Sequence, residues 1–102
     1  MNTYTFSDES VRDLNEICGY ISRNNPRTAS ELFDAIRQKC KLVAEFPNMG
    51  KPYERLASNL RGFRVRDYLI FYYSRADGID IARVLRGDRD LELLFSELGK
   101  IN

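Results

Sequence analysis

The sequence predicts an α+β domain: an N-terminal strand, an antiparallel helical hairpin packed on a mainly antiparallel four-stranded sheet, and a short C-terminal helix. Three observations carry this. Two segments repeat apolar residues at spacings of three and four, and only Asn24-Asn25-Pro26 lies between them. Three later runs, Leu60 to Arg66, Tyr68 to Ser74 and Ile79 to Leu85, have strand character, and Asp77-Gly78 marks a hairpin turn between the last two. With 102 residues the chain has enough apolar surface for one core and too little for two, so residues 1–102 are read as a single domain.

Thr3-Tyr4-Thr5-Phe6 alternates and is short, which predicts a first strand. Ser7 is placed to cap a helix, and Asp8 and Glu9 suit the positive end of its dipole. That helix extends to about Asn24, with Val11, Leu14, Ile17, Cys18 and Ile21 on one face. Asn25 caps the next helix and Pro26 occupies its first turn, where no N–H is needed. Ala29, Leu32, Phe33, Ile36, Cys40, Val43 and Ala44 form its stripe, and Phe46-Pro47 ends it. So short a connection predicts antiparallel helices.

Pro47 to Asn59 has no sustained period and reads as a loop, with a turn of helix near Tyr53 to Leu56. In the first later strand Phe63 and Val65 alternate with Gly62, Arg64 and Arg66, predicting a core side and an outward guanidinium side. Tyr68-Leu69-Ile70-Phe71-Tyr72-Tyr73 is apolar on both faces and is therefore expected to be central and buried. Leu91, Leu94, Phe95 and Leu98 space a terminal helix over Asp88 to Gly99.

Net charge is +1, yet Arg61, Arg64, Arg66, Arg75, Arg83, Arg86 and Arg89 fall in one stretch. Arginine's planar fork suits phosphate and carboxylate, so the cluster points to a polyanion or an acidic partner. With no histidine and no zinc-type cysteine spacing, no metal site or cofactor is expected, and the usual general-base chemistry is absent. Cys18 and Cys40 lie on helical stripes and are read as free core thiols. A run long enough to span a bilayer is missing, as are the basic and apolar regions of a signal peptide at Met1 to Tyr4, so a cytoplasmic chain without membrane association is expected.

Arginine, lysine and tyrosine can still cleave RNA, if an arginine stabilises the transition state and a tyrosine or lysine moves protons. Tyr68, Tyr72 and Tyr73 fall on the central strand, which favours core roles for them.

Leu60-Arg61-Gly62-Phe63-Arg64-Val65, then Tyr68-Leu69-Ile70-Phe71-Tyr72, then Ile81 through Leu91, with Asn25-Pro26 and Phe46-Pro47-Asn48-Met49-Gly50 before them, resemble the RelE/ParE toxin superfamily over nearly the whole chain. The resemblance implies the same fold and two activities to choose between. RelE-type messenger RNA endonucleases carry an arginine after the tyrosine that opens the central strand, where this chain has Leu69. They carry another just past the last strand, near Gly87, and a C-terminal tyrosine or histidine, near Leu93. These departures imply the ParE type: a non-catalytic toxin of a type II toxin–antitoxin pair that inhibits DNA gyrase by binding. Arg86 stands where ParE-type proteins often have histidine, and it keeps the positive charge.

The expected target contacts are Arg64, Arg66, Arg83, Arg86 and Arg89. A cognate ParD-like antitoxin, able to build a higher-order complex, would fold onto exposed apolar groups, for which Tyr20, Tyr53, Phe63 and Phe95 are the candidates. The alternative is a RelE-like ribosome-dependent endonuclease with a rearranged site from Lys51, Arg55, Arg64, Arg66 and Tyr72. A homologue that binds only its antitoxin is a third reading.

Overall fold

A computed structural model describes residues 2–87 and residue 91 of the chain. The elements are β1 (Thr3–Phe6), α1 (Asp8–Ser22), α2 (Pro26–Glu45), a 3₁₀ turn (Pro47–Met49), β2 (Lys51–Pro52), β3 (Arg61–Val65), β4 (Tyr68–Arg75) and β5 (Gly78–Arg86). The expected terminal helix, apart from Leu91, lies outside the described residues, as do Arg89 and Phe95.

Local chemistry sets the helix ends. Ser7 is extended, and its Oγ accepts the Ser10 N–H at 3.1 Å while donating to the Ala82 carbonyl at 2.9 Å. Its own N–H donates to the Ile81 carbonyl at 2.9 Å, so one residue caps α1 and ties it to β5. Asn25 Oδ1 accepts from Thr28 N–H at 3.1 Å at the start of α2. After Phe46, Pro47 has no N–H to continue the helix.

The sheet has the order β1-β5-β4-β3-β2, with β1 parallel to β5 and all other pairs antiparallel. It is therefore mixed and five-stranded, against the four strands expected. The extra strand is β2, whose two residues pair Lys51 with Gly62 and Pro52 with Arg61. Two residues are too few to show a period, and a proline there reads as a breaker, although an edge strand tolerates it.

Apolar side chains cover both faces of the sheet. On the helical side, Leu14, Leu32, Ile36, Cys40 and Val43 pack on Phe63, Val65, Ile70, Tyr72, Ile79, Ile81 and Val84. On the other side, Tyr53, Leu60, Leu69, Phe71 and Leu85 form a smaller cluster beneath Leu56, Ala57 and Leu91. Alternation along β4 sends Ile70 and Tyr72 one way and Leu69 and Phe71 the other, and β4 is the middle strand, as expected. The outer face is consequently not the open guanidinium surface expected, because the loop after β2 covers part of it. Tyr73 is also not buried but 36% exposed, since β4 outruns β3 at that end.

Two backbone features shape β5. The β4–β5 loop is Ala76-Asp77, and Gly78, expected in the turn, is instead the first strand residue, opposite Arg75 and beside Thr3. Its φ of +150° and the Thr3 carbonyl against its α-carbon leave no room for a side chain. Further along, Ile81 pairs with Tyr72 but Arg83 with Phe71, so Ala82 is an extra residue forming a bulge. Pairing to β1 ends at Ile81.

Candidate macromolecule-binding surface

Three of the expected target residues meet at one corner of the sheet. Arg64 is exposed on β3, and its guanidinium lies against Gly87, where a methyl group would strike Nη1 and Nη2. Arg66 has a left-handed φ of 54° and forms with Asp67 the two-residue turn into β4. Arg86 is exposed at the end of β5, opposite Tyr68. The Gly87 N–H donates to the Asp67 carbonyl at 2.9 Å, which fastens the end of β5 to that turn. Arg64, Arg66 and Arg86 thus flank one backbone-anchored corner, Arg64 from the outer face of the sheet beside Leu69 and Arg86 from the helical face beside Tyr68.

Arg83 does not join them. The bulge turns it toward α1, where Nε donates to Asp13 Oδ2 at 2.8 Å and Nη2 to Oδ1 at 3.0 Å. The Val84 N–H donates to the same Oδ2 at 2.9 Å. Arg83 and Asp13 are 20% and 13% exposed, and the hydrogen bond to Asp13 holds the Arg83 guanidinium above its ordinary pKa. The Nε–Nη2 edge of Arg83, expected among the target contacts, is thus occupied by Asp13 within the fold.

Of the aromatic candidates, Tyr20 on α1 is 70% exposed. It lines a groove of about 480 Å³ between α1 and the part of β5 beyond β1, with Asp13, Glu16, Ile17, Tyr68 and Arg86. Phe63 and Tyr53 are buried instead of exposed. Strand alternation turns Phe63 into the helical core beside Tyr72, with ring centroids 5.8 Å apart. Tyr53 lies on Gly62 and edge-to-face on Phe71 at 5.1 Å, with the Lys51 and Arg55 cations over its ring. Exposed groups that periodicity assigned to the core include Val11 and Phe33, on the flanks of the helical stripes.

Residues 4–91 match the family described as ParE toxin of type II toxin-antitoxin system, parDE. The chain belongs to the ParE toxin family. A solved structure titled "Chromosomal ParDE TA system from P. aeruginosa" shares its fold, with a TM-score of 0.69 and 20% identity over 84% of this chain and 96% of that one. No curated protein matches the chain at a significant level.

ParE-family toxins are typically non-catalytic. In this one, Tyr72 lies apart from Lys51 and Arg55, the cations considered with it for RNA cleavage. Tyr72 lies on the helical face of the sheet, whereas Lys51 and Arg55 flank Tyr53 on the other. The Tyr72 hydroxyl donates to the Pro47 carbonyl at 2.6 Å and accepts the Gly50 N–H at 3.1 Å, and burial pushes its pKa up. Among the described residues of this ParE-family toxin, no group of three or more Cys, Asp or Glu is placed to hold a metal ion, and no helix is long and apolar enough to cross a membrane.

Proposed function

We propose that this ParE-family toxin inhibits DNA gyrase by binding, with Arg64, Arg66, Arg86 and Arg89 as the target contacts. The observation that carries the reading is that three exposed arginines flank one turn, pinned by the Gly87 to Asp67 hydrogen bond, with Arg64 on the outer face of the sheet and Arg86 on the helical face. A rigid display of planar cations suits carboxylate or phosphate on a large partner. A ParD-like antitoxin would neutralise the toxin by covering the groove at Tyr20, where an aromatic anchor sits among charges of both signs.

The test is a gyrase assay with purified chain, plasmid DNA and ATP, scoring supercoiling and cleaved DNA together. Inhibition or trapped cleavage by the wild type, lost in Arg64→Ala/Arg66→Ala/Arg86→Ala with an unchanged melting temperature, is the expected result. An inert wild type that instead cuts messenger RNA on translating ribosomes would replace the reading with the RelE-type one. Tyr20→Asp is expected to weaken antitoxin binding and leave gyrase inhibition unchanged.

A further inference from the structure

The opposite end of β3 carries a different cationic feature. β3 begins at Arg61, opposite Tyr72, whereas β4 continues three residues further to Arg75, and no strand flanks that overhang on the β3 side among the described residues. The missing strand length leaves a notch of about 570 Å³, lined by Asn48, Pro52, Ser58, Asn59, Arg61, Tyr73 and Ser74, and by the one carboxylate of Glu54.

Arg61 is held there through one nitrogen. Its Nη1 donates to the Gly50 carbonyl at 2.6 Å and to the Asn48 carbonyl at 3.2 Å. Those carbonyls belong to the turn that the Tyr72 hydroxyl also grips, so the guanidinium is fixed against the fold. Its Nε and Nη2 have no partner among the described residues, and neither do the Ser58 and Ser74 hydroxyls or the Asn48 and Asn59 side-chain amides. The carboxylate in the notch is not paired with it: Glu54 is turned onto the Asn59 N–H, which reaches both oxygens at 3.2 Å.

A guanidinium fixed by Nη1 keeps its Nε–Nη2 edge for a bidentate acceptor at little further entropic cost. We propose that this notch binds a single oxyanionic group, a carboxylate or a phosphate, on the Nε–Nη2 edge of Arg61, with Ser74 and Asn59 as additional donors. The site lies at the far end of β3 from the Arg64, Arg66 and Arg86 corner and is independent of the gyrase reading.

The experiment is calorimetric titration of the full chain with sodium phosphate and, separately, sodium acetate, at ionic strength held constant with chloride. Saturable one-site binding of at least one anion is expected. Phosphate alone would assign a tetrahedral group, acetate alone a planar one, and both a site indifferent to shape. Ser74→Asp and Asn59→Asp place a carboxylate in the notch at exposed positions and leave the Nη1 anchors in place, so each should lower affinity at least roughly tenfold by occupying or repelling from the fork. Arg61→Lys, which keeps the charge but not the fork, should lower it by about as much. Absence of saturation by either anion, or identical isotherms for wild type and both aspartate variants, would overturn the proposal.

Discussion

The carboxylate of Asp13 on α1 meets the guanidinium of Arg83 on β5 through both oxygens and, with Oδ2, also takes the Val84 N–H that the departing β1 leaves unpaired. One side chain therefore satisfies a half-buried cation and an open strand edge. Asp13→Ala leaves the Arg83 fork edge and the Val84 N–H without their acceptor and is expected to cost about 1–3 kcal/mol. Arg83→Ala should cost less, because Asp13 keeps Val84. Chemical denaturation of the two single variants and the double variant checks this through the coupling energy.

The arginine corner should behave in the opposite way. Arg64 and Arg66 are exposed, and replacing either with alanine is expected to change stability by within about 0.5 kcal/mol. Toxicity on expression should fall nevertheless. Growth curves paired with melting temperatures separate this loss from the loss caused by Arg83→Ala, where the two readouts fall together.

Tyr72→Phe removes a hydroxyl that serves Pro47 and Gly50 at a fully buried position. The two backbone groups lose their partner, which is expected to cost about 1–3 kcal/mol. Gly50→Ala should be at least as damaging, since the new methyl would overlap the Tyr72 ring and hydroxyl. Thermal unfolding of both variants provides the check.

Cys40 is buried, and burial pushes its thiol up to about 12 from an ordinary 9.0. Native protein thus holds a proton that unfolded chain releases, so stability is fully present below pH 9.0 and falls as pH rises from there toward about 12. The slope should approach roughly 1.4 kcal/mol per pH unit. Urea titrations close to pH 9 keep below the ordinary tyrosine value of 10.0 and so limit the contribution of Tyr72, and Cys40→Ala should lose most of the slope at lower overall stability, the remainder belonging to Cys18, whose thiol burial also pushes up.

Gly78→Ala tests the parallel pairing. Its φ of +150° and the Thr3 carbonyl both oppose a side chain, so β1 should detach. Faster hydrogen exchange at the Thr3 amide, which donates to Asp77 at 2.9 Å, is the expected signature.

Much of this was legible in the residues. The Ser7 and Asn25 caps, the helical stripes and the central β4 followed from local rules that tertiary packing reinforced. What escaped were features set by neighbours distant in sequence. A two-residue β2 exists only because β3 offers an edge, and Gly78 is required by Thr3 rather than by the turn. The site was legible in part: a run of arginines signalled a cationic surface, but the Ala82 bulge that diverts Arg83 to Asp13 left no mark on the alternation. Tyr53 and Phe63 show the same limit, since aromatic character does not tell which face a loop or a strand will cover.

The union of β1 with β5 orders the toxin's birth. The strand made first waits for the strand made last among those described, Thr3 for Gly78 and Phe6 for Ile81, across nearly the whole described chain. Contacts so distant form late, because the intervening loop must close before they are rewarded. A nascent chain still short of β5 has neither the anchor for α1 at Ser7 nor the turn-to-strand clasp that frames Arg64, Arg66 and Arg86. The arginine corner, and the side of the Tyr20 groove that β5 supplies, therefore take shape only after β5 has been made.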